Sequence, residues 1–131
     1  MSRVMRAILT AAAGLGAGCE AQTITPPGSE GRIQIAGSTL AAHIRVVQQD
    51  SDRIEGGLLR IRTELKNRIK EDLWVDVQVV WKDGQGYEVY KTNWAPLYLP
   101  ARLVQTHEVA SLRPDVADYE FRMRRVARPI R

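Results

Sequence analysis

The sequence predicts an all-β protein: a single antiparallel, immunoglobulin-like β-sandwich of about seven strands that follows an N-terminal signal segment. The length of 131 residues suits one domain. From residue 32 onward, apolar and polar residues alternate with a period of two, and glycines and prolines separate the alternating runs. A single cysteine rules out an internal disulfide, so aliphatic and tryptophan side chains are expected to hold the two sheets together.

Residues 1–18 are predicted to be a signal peptide. Arg3 and Arg6 precede twelve small or apolar residues, and a helix of that length spans about 18 Å, which is too short for a bilayer core of about 30 Å. Cys19 follows Gly-Ala-Gly, and this arrangement resembles a bacterial lipoprotein signal, in which the cysteine is acylated and begins the mature chain. Two alternatives stay open: cleavage by the ordinary signal peptidase after Ala21, and an apolar helix that is not removed.

Residues 19–31 are predicted to form the lipidated cysteine and a flexible tether. Residues 20–31 contain two prolines and two glycines and show no apolar period, and at about 3.3 Å per residue they would reach as far as about 40 Å from the membrane. The expected location is therefore periplasmic, with the lipid anchor in a membrane. Glu20, rather than an aspartate, follows the cysteine, which favours the outer membrane.

Residues 32–126 are predicted to form the sandwich. In residues 59–67 aliphatic and charged side chains alternate, and residues 73–82 repeat the pattern with Trp81 on the inner face. Residues 83–86, Asp-Gly-Gln-Gly, predict a hairpin turn. No amphipathic helix is predicted. The full set of predicted strands is 32–36, 42–48, 59–67, 73–82, 87–92, 103–110 and 119–126.

The basic charge of the chain is concentrated at its two termini. Lysine and arginine number 19 against 15 acidic residues, for a net charge of +4. Two arginines lie in the first six residues and five in the last ten, so residues 7–121 carry a net charge of −3. A nucleic-acid-binding face requires basic residues clustered on the folded surface, so no nucleic-acid partner is expected.

Two groups of residues are candidates for partner binding. Trp94 and Tyr98 lie in a predicted loop, where they either pack over the end of the sandwich or bind a partner. The basic C-terminal end, with its tail of residues 127–131, is either a solvated strand face with a disordered end or a surface that holds the tethered domain against anionic lipid or an acidic envelope protein. Its arginines are Arg122, Arg124, Arg125, Arg128 and Arg131.

No catalytic, metal or cofactor site is predicted. Asp83 is expected to cap the hairpin turn through its own backbone, and Asp76 is expected to face solvent. His107 and Glu108 are adjacent on a predicted strand, so they point to opposite faces and cannot act on one substrate. His43 has no acid, serine or cysteine at a spacing that suggests a catalytic triad.

Several features between residues 58 and 94 carry a family resemblance. A charged strand ends at Asn67, a hydrophobic strand ends in Val80-Trp81-Lys82-Asp83, and Gly86 and Trp94 follow. This pattern resembles the YcfL family of uncharacterised periplasmic lipoproteins over roughly residues 32–126. The resemblance implies an immunoglobulin-like sandwich tethered in the bacterial envelope and implies no enzymatic activity.

The predicted function is therefore that of a non-catalytic envelope lipoprotein, a binding or assembly module that faces the periplasm. The alternative is a cell-envelope hydrolase, or another enzyme that acts on cell-wall or lipid material. Two lone histidines and a lipidated cysteine offer no nucleophile–base pair and no set of metal ligands, and this favours the first hypothesis.

Overall fold

The computed structural model describes residues 23–24 and 32–126, and these form nine strands, one short helix and one turn of 3-10 helix. The strands are β1 (Thr23–Ile24), β2 (Ile33–Ala36), β3 (Ile44–Arg53), β4 (Leu59–Asn67), β5 (Leu73–Lys82), β6 (Glu88–Lys91), β7 (Ala95–Leu99), β8 (Val104–Ala110) and β9 (Asp118–Arg125). The helix α1 is Ser38–His43, and the 3-10 turn is Glu55–Gly57. The predicted signal peptide, Cys19, most of the tether and the tail of residues 127–131 lie outside the described residues.

The strands form two sheets that pack as a sandwich. The larger sheet has the order β1-β2-β9-β5-β6, with β7 also paired to β5, and the smaller sheet has the order β3-β4-β8. All pairs are antiparallel except β2 and β9, which are parallel. The predicted all-β sandwich is confirmed. The described residues nevertheless contain nine strands rather than about seven, and one pair, β2 and β9, is parallel.

The inner faces of the two sheets form the hydrophobic core. Every second residue of β4 and β5 points inward, as the period of two predicts. Trp81 is fully buried, which confirms its predicted place in the core. The core consists of Ile33, Ile35, Leu40, Ile44, Leu59, Ile61, Leu65, Leu73, Val75, Val77, Val79, Trp81, Leu99, Val116, Tyr119, Phe121 and Met123.

The second predicted strand, 42–48, begins later than expected because its first two residues belong to α1. The helix has six residues, which is less than two turns, so its sequence shows no detectable period of 3.6. It forms because it buries Leu40 against the core, where the side chain is 2% exposed. Gly37 precedes the helix with a φ of +97°, a conformation that favours glycine.

The prediction that Trp94 and Tyr98 lie in a loop is wrong for Tyr98, which lies in β7. This strand pairs with the first half of β5, and Tyr98 lies opposite Trp74. Pro96 made a strand improbable from the sequence, but a proline is tolerated where a strand forms the edge of a sheet. Trp94 directly precedes β7.

The sandwich has two different ends. At the first, the crossover end, the chain passes between the sheets through α1, through residues 68–72 and through residues 100–103. At the second, the hairpin end, residues 54–58 and 83–87 connect neighbouring strands within a sheet, and residues 111–117 cross from β8 to β9. Within residues 32–126, three connections therefore join the two sheets at the crossover end, against one at the hairpin end.

The first and last described residues both lie at the crossover end. β1 runs antiparallel to β2, and Thr23 lies opposite Ala36. β9 runs parallel to β2, and Val126, just after it, donates its backbone N–H to the carbonyl of Trp74 at 3.3 Å. Because Thr23 and Ile24 are paired, only residues 20–22 separate Cys19 from the sheet. This separation is much shorter than the predicted tether of residues 20–31.

Asn67 fixes the crossover end from inside. Its side chain is buried, and its Nδ2 donates to the carbonyls of Glu71 (2.8 Å) and Leu99 (2.9 Å). Its Oδ1 accepts from the N–H of Ile69 at 2.9 Å. One amide therefore joins the end of β4, the following loop and the end of β7 in the opposite sheet. This is the physical role of the asparagine that closes the charged strand.

Candidate binding surface

The candidate site lies on the side of the larger sheet that faces away from the core, which we call the outer face. Along β5 and β9, the residues that alternate with the buried ones point outward. The register between the strands brings these residues side by side. The outer face comprises Trp74, Asp76, Gln78, Trp94, Tyr98, Glu120, Arg122 and Arg124.

Arg124 is held between an aromatic ring and a carboxylate. Its guanidinium carbon lies 3.9 Å from the centroid of the Trp94 ring, within the range of a cation–π interaction. Its Nε lies 3.4 Å from Oδ2 of Asp76, the residue opposite it on β5. Asp76, which the sequence predicts to face solvent, therefore forms an ion pair with Arg124. Close to half of the Arg124 side chain is still exposed and available to a partner.

A second row of polar contacts runs along the same strands. Arg122 donates from Nε to Oε2 of Glu120 at 2.8 Å and from Nη1 to Oε1 of Gln78 at 3.4 Å. Lys82 lies 3.2 Å from the other carboxylate oxygen of Glu120. Burial tends to raise the pKa of Glu120, but the hydrogen bonds from Arg122 and Lys82 outweigh burial and lower that pKa. Glu120 therefore stays ionised and orients Arg122.

An aromatic pair lies at the crossover end of the outer face. The rings of Trp74 and Tyr98 lie 4.9 Å apart between centroids, and the residues are 39% and 38% exposed. The Tyr98 hydroxyl donates to Oδ2 of Asp72 at 2.7 Å, and Oδ1 of Asp72 accepts from the N–H of Ala101. These hydrogen bonds lower the pKa of Asp72, and the same tyrosine–carboxylate bond raises the pKa of Tyr98. The pair is thus fixed in orientation while its rings face solvent.

A shallow groove of about 330 Å³ runs beside the Trp94–Arg124 pair. The indole forms an apolar wall, and the guanidinium groups of Arg122 and Arg124 supply donors. This combination suits an extended ligand with apolar and carboxylate groups, since arginine binds carboxylates in a bidentate manner. The lining residues are Thr23, Gln34, Ala36, Trp94, Glu120, Arg122, Met123 and Arg124.

The structure brings four of the predicted site residues onto one face: Trp94, Tyr98, Arg122 and Arg124. Arg125 is exposed at the end of β9 and follows the opposite alternation, so it does not belong to this face. Arg128 and Arg131 lie outside the described residues.

Sequence reasoning missed Trp74 as a site residue. The signal was available, because the alternation of β5 places Trp74 with Asp76 and Gln78 on one side of the strand. Its aromatic neighbour could not be predicted once β7 had been taken as a loop.

The residues considered for catalysis lie apart. His107 points into the sandwich, where the centroid of its ring lies 5.5 Å from that of Phe121, and burial lowers the pKa of His107. Glu108 points outward and pairs with Arg60 at 3.3 Å. Asp83 accepts from the N–H groups of Gln85 and Tyr87, which confirms its role as the cap of the hairpin.

Two further properties concern the described part of the chain alone. Residues 23–24 and 32–126 contain no group of three or more histidine, cysteine, aspartate or glutamate side chains that could hold a metal ion. The same ranges contain no helix that is long and apolar enough to cross a membrane.

The fold and its family are established by comparison with known proteins. The chain is similar to the crystal structure of Campylobacter jejuni cj0090, with a TM-score of 0.63 and 17% identity over 73% of this chain and 99% of that one. It is also similar to a crystal structure of a DUF1425 family member from Shewanella sp. pv-4, with a TM-score of 0.58 and 19% identity over 66% and 81% of the chains. No curated protein matches the chain. Residues 31–125 match the family model described as "Protein of unknown function (DUF1425)", and this protein belongs to that family.

Proposed function

We propose that this protein is a YcfL-type envelope lipoprotein: a non-catalytic binding or assembly module, anchored through acylated Cys19 to a bacterial membrane and facing the periplasm. Glu20 favours the outer membrane. The observation that carries the binding role is the Trp94–Arg124 pair, with a ring-to-guanidinium distance of 3.9 Å beside an open groove. Its partner is an envelope protein that presents apolar and acidic groups.

The chemistry of the outer face supports binding rather than simple surface coverage. Tryptophan, tyrosine and arginine are the residues that most often dominate the energy of protein interfaces. Here they are also held in place, because Asp76 orients Arg124, Glu120 orients Arg122 and Asp72 orients Tyr98. Ordered side chains lose little conformational entropy on binding, so such a surface is prepared for a partner.

The arrangement of ionisable groups supports a non-catalytic role. A general base needs a proton donor or nucleophile within hydrogen-bonding reach. His107 faces Phe121 inside the sandwich, and Glu108 lies on the other side of its strand. Hydrogen bonds lower the pKa of Asp72, hydrogen bonds from Arg122 and Lys82 lower the pKa of Glu120, and Asp76 is paired with Arg124.

A site-specific photo-crosslinking experiment in cells tests the binding role. A photoreactive phenylalanine analogue replaces Tyr98 on the outer face or, as a matched control, Tyr87 in the hairpin, which is 69% exposed. We expect Tyr98 to yield a discrete crosslinked protein that is absent with Tyr87, and Trp94→Ala to weaken this crosslink. Equal crosslinking from both positions, or none from Tyr98, would contradict a partner-binding outer face.

A further inference from the structure

A cleft at the crossover end carries a separate group of basic residues. It has a volume of about 540 Å³ and is open to solvent. Arg68, Lys70 and Arg102 supply three positive charges, and Glu71 supplies one negative charge. His43 lies at the C-terminal end of α1, and its Nδ1 is buried with no partner among the described residues. The cleft is thus cationic, in contrast to the net negative charge of residues 7–121 as a whole.

The cations of the cleft differ from those at the hairpin end. Arg32, Lys82 and Arg113 at the hairpin end are paired with Asp118, Glu120 and Asp115 respectively. Within residues 32–126, none of the three cleft cations forms an ion pair with a carboxylate. The positive charge of the cleft is therefore left for an external anion, whereas Arg32, Lys82 and Arg113 at the hairpin end are neutralised within the fold.

The backbone around Arg102 holds the cleft in its observed shape. Arg102 has a φ of +64°, a left-handed conformation that is uncommon for a residue other than glycine. Its Nη1 donates to the carbonyl of Arg68 at 2.8 Å, which ties one cleft loop to the other. Leu103 and Val104 follow immediately and are 57% and 45% exposed. Cations next to exposed aliphatic side chains form the combination that binds at a lipid–water interface.

The topology places the predicted lipid anchor close to this end of the molecule. Thr23 lies at the crossover end, and the predicted anchor Cys19 is four residues before it, a distance of at most about 13 Å in extended chain. Val126 also follows the last strand at this end. Arg128 and Arg131 come within five positions after Val126 in the sequence. An acyl group on Cys19 would therefore bring the cationic cleft within reach of lipid headgroups.

We propose that the crossover end is a docking surface for an anionic phospholipid membrane, with Arg68, Lys70 and Arg102 binding headgroup phosphates. This inference rests on the envelope location proposed above but involves a different surface from the outer face. In this orientation the Trp94–Arg124 groove opens parallel to the membrane surface, where a partner protein can reach it. The lipid anchor holds the domain at the bilayer, and the cleft sets which end of the sandwich faces the headgroups.

Vesicle binding tests the docking surface. All core residues lie between Ile33 and Met123, so a chain of residues 20–131 keeps the folded unit and lacks Cys19. It is mixed with vesicles of phosphatidylglycerol and phosphatidylcholine, and with vesicles of phosphatidylcholine alone. One triple variant replaces Arg68, Lys70 and Arg102 by glutamine. The matched control replaces Arg53, Lys82 and Arg113 at the hairpin end, which removes the same net charge. Thermal unfolding verifies that both variants fold.

We expect the wild-type chain to bind only the anionic vesicles. Each basic group near such a surface contributes about fivefold in affinity, so the cleft variant should lose about a hundredfold and the control only a few-fold. Equal losses in the two variants would mean that only net charge matters and would overturn the proposal. Absence of wild-type binding, or full displacement by inorganic phosphate at matched ionic strength, would overturn it as well.

The experiment separates this inference from the proposed function. Incorporation of labelled palmitate that persists in Cys19→Ser would disprove anchoring at Cys19, and a failed crosslink from Tyr98 would disprove the partner-binding face. Neither result affects binding of the unacylated chain to anionic vesicles, and the difference between the wild-type chain and the cleft variant measures the contribution of the cleft.

Discussion

Single side chains inside the sandwich explain features that the sequence pattern alone leaves without a reason. The asparagine that closes the charged strand matters because its amide satisfies three backbone groups. The histidine on β8 matters because its ring packs against Phe121 inside the sandwich, where burial lowers its pKa. Neither residue belongs to the outer face. Both are better understood as determinants of stability than as parts of a site.

Replacement of Asn67 by alanine should lower the free energy of unfolding by about 2–4 kcal/mol, because it leaves two carbonyls and one N–H without partners in a buried place. Asn93→Ala, at an exposed position, is the control and should change stability by less than about 0.5 kcal/mol. Urea unfolding measures both. If the two variants lose the same small amount, Asn67 does not hold the crossover end together.

His107 should make the stability of the fold depend on pH below neutrality. Burial lowers the pKa of this residue in the folded state below 6.5, so the unfolded chain takes up the proton first. The stabilisation is present above pH 6.5 and is lost as the pH falls towards the folded pKa, at about 1.4 kcal/mol for each unit of separation. His107→Leu should therefore make the urea unfolding midpoint depend less on pH between pH 7 and pH 5. Gln105→Leu, which changes an inner-facing neighbour on the same strand, should keep the wild-type slope.

At the scale of elements, the outer face depends on how β5, β7 and β9 are paired. β5 lies between β9 and β7, so its outward residues meet arginines on one side and Tyr98 on the other. The helix α1 has a different role, because it carries the chain from the larger sheet to the smaller one and buries Leu40 on the way. The position of α1 depends on the backbone conformation of one residue, Gly37.

Gly37→Ala should destabilise the protein by about 1 kcal/mol, because a φ of +97° strains any residue with a Cβ. The space around the new methyl group is open, so the cost is that of the backbone alone. Gly84 offers the matched control, since its surroundings are equally open and its φ is not in the left-handed range. Gly84→Ala should be neutral or slightly stabilising, and a thermal unfolding series that ranks the two variants the other way would contradict this explanation.

At the scale of the whole molecule, the sandwich separates two surfaces with different chemistry. The outer face offers aromatic rings and arginines already fixed by acids, a composition suited to a protein partner. The crossover end offers three cleft cations that form no ion pair within residues 32–126, beside both ends of the described chain. A domain held by a short anchor would thus use its end for the membrane and its side for a partner.

The amino-acid sequence by itself determined the fold class, the inner position of Trp81 and the capping role of Asp83. These follow from alternation and from local turn chemistry, which act between residues close together in the chain. The sequence also identified Trp94, Tyr98, Arg122 and Arg124 as candidates, although it assigned Tyr98 to a loop.

Only the tertiary structure decided the rest. The pairing of β7 with β5, the stacking of Arg124 on Trp94 and the assembly of the basic cleft from residues 43, 68–71 and 102 join segments that lie far apart in sequence. The helix α1 likewise forms because Leu40 packs in the core. Its six residues are too few to show the helical period from which a helix would be predicted. Such contacts depend on sheet register and on the positions of crossovers, which no local pattern encodes.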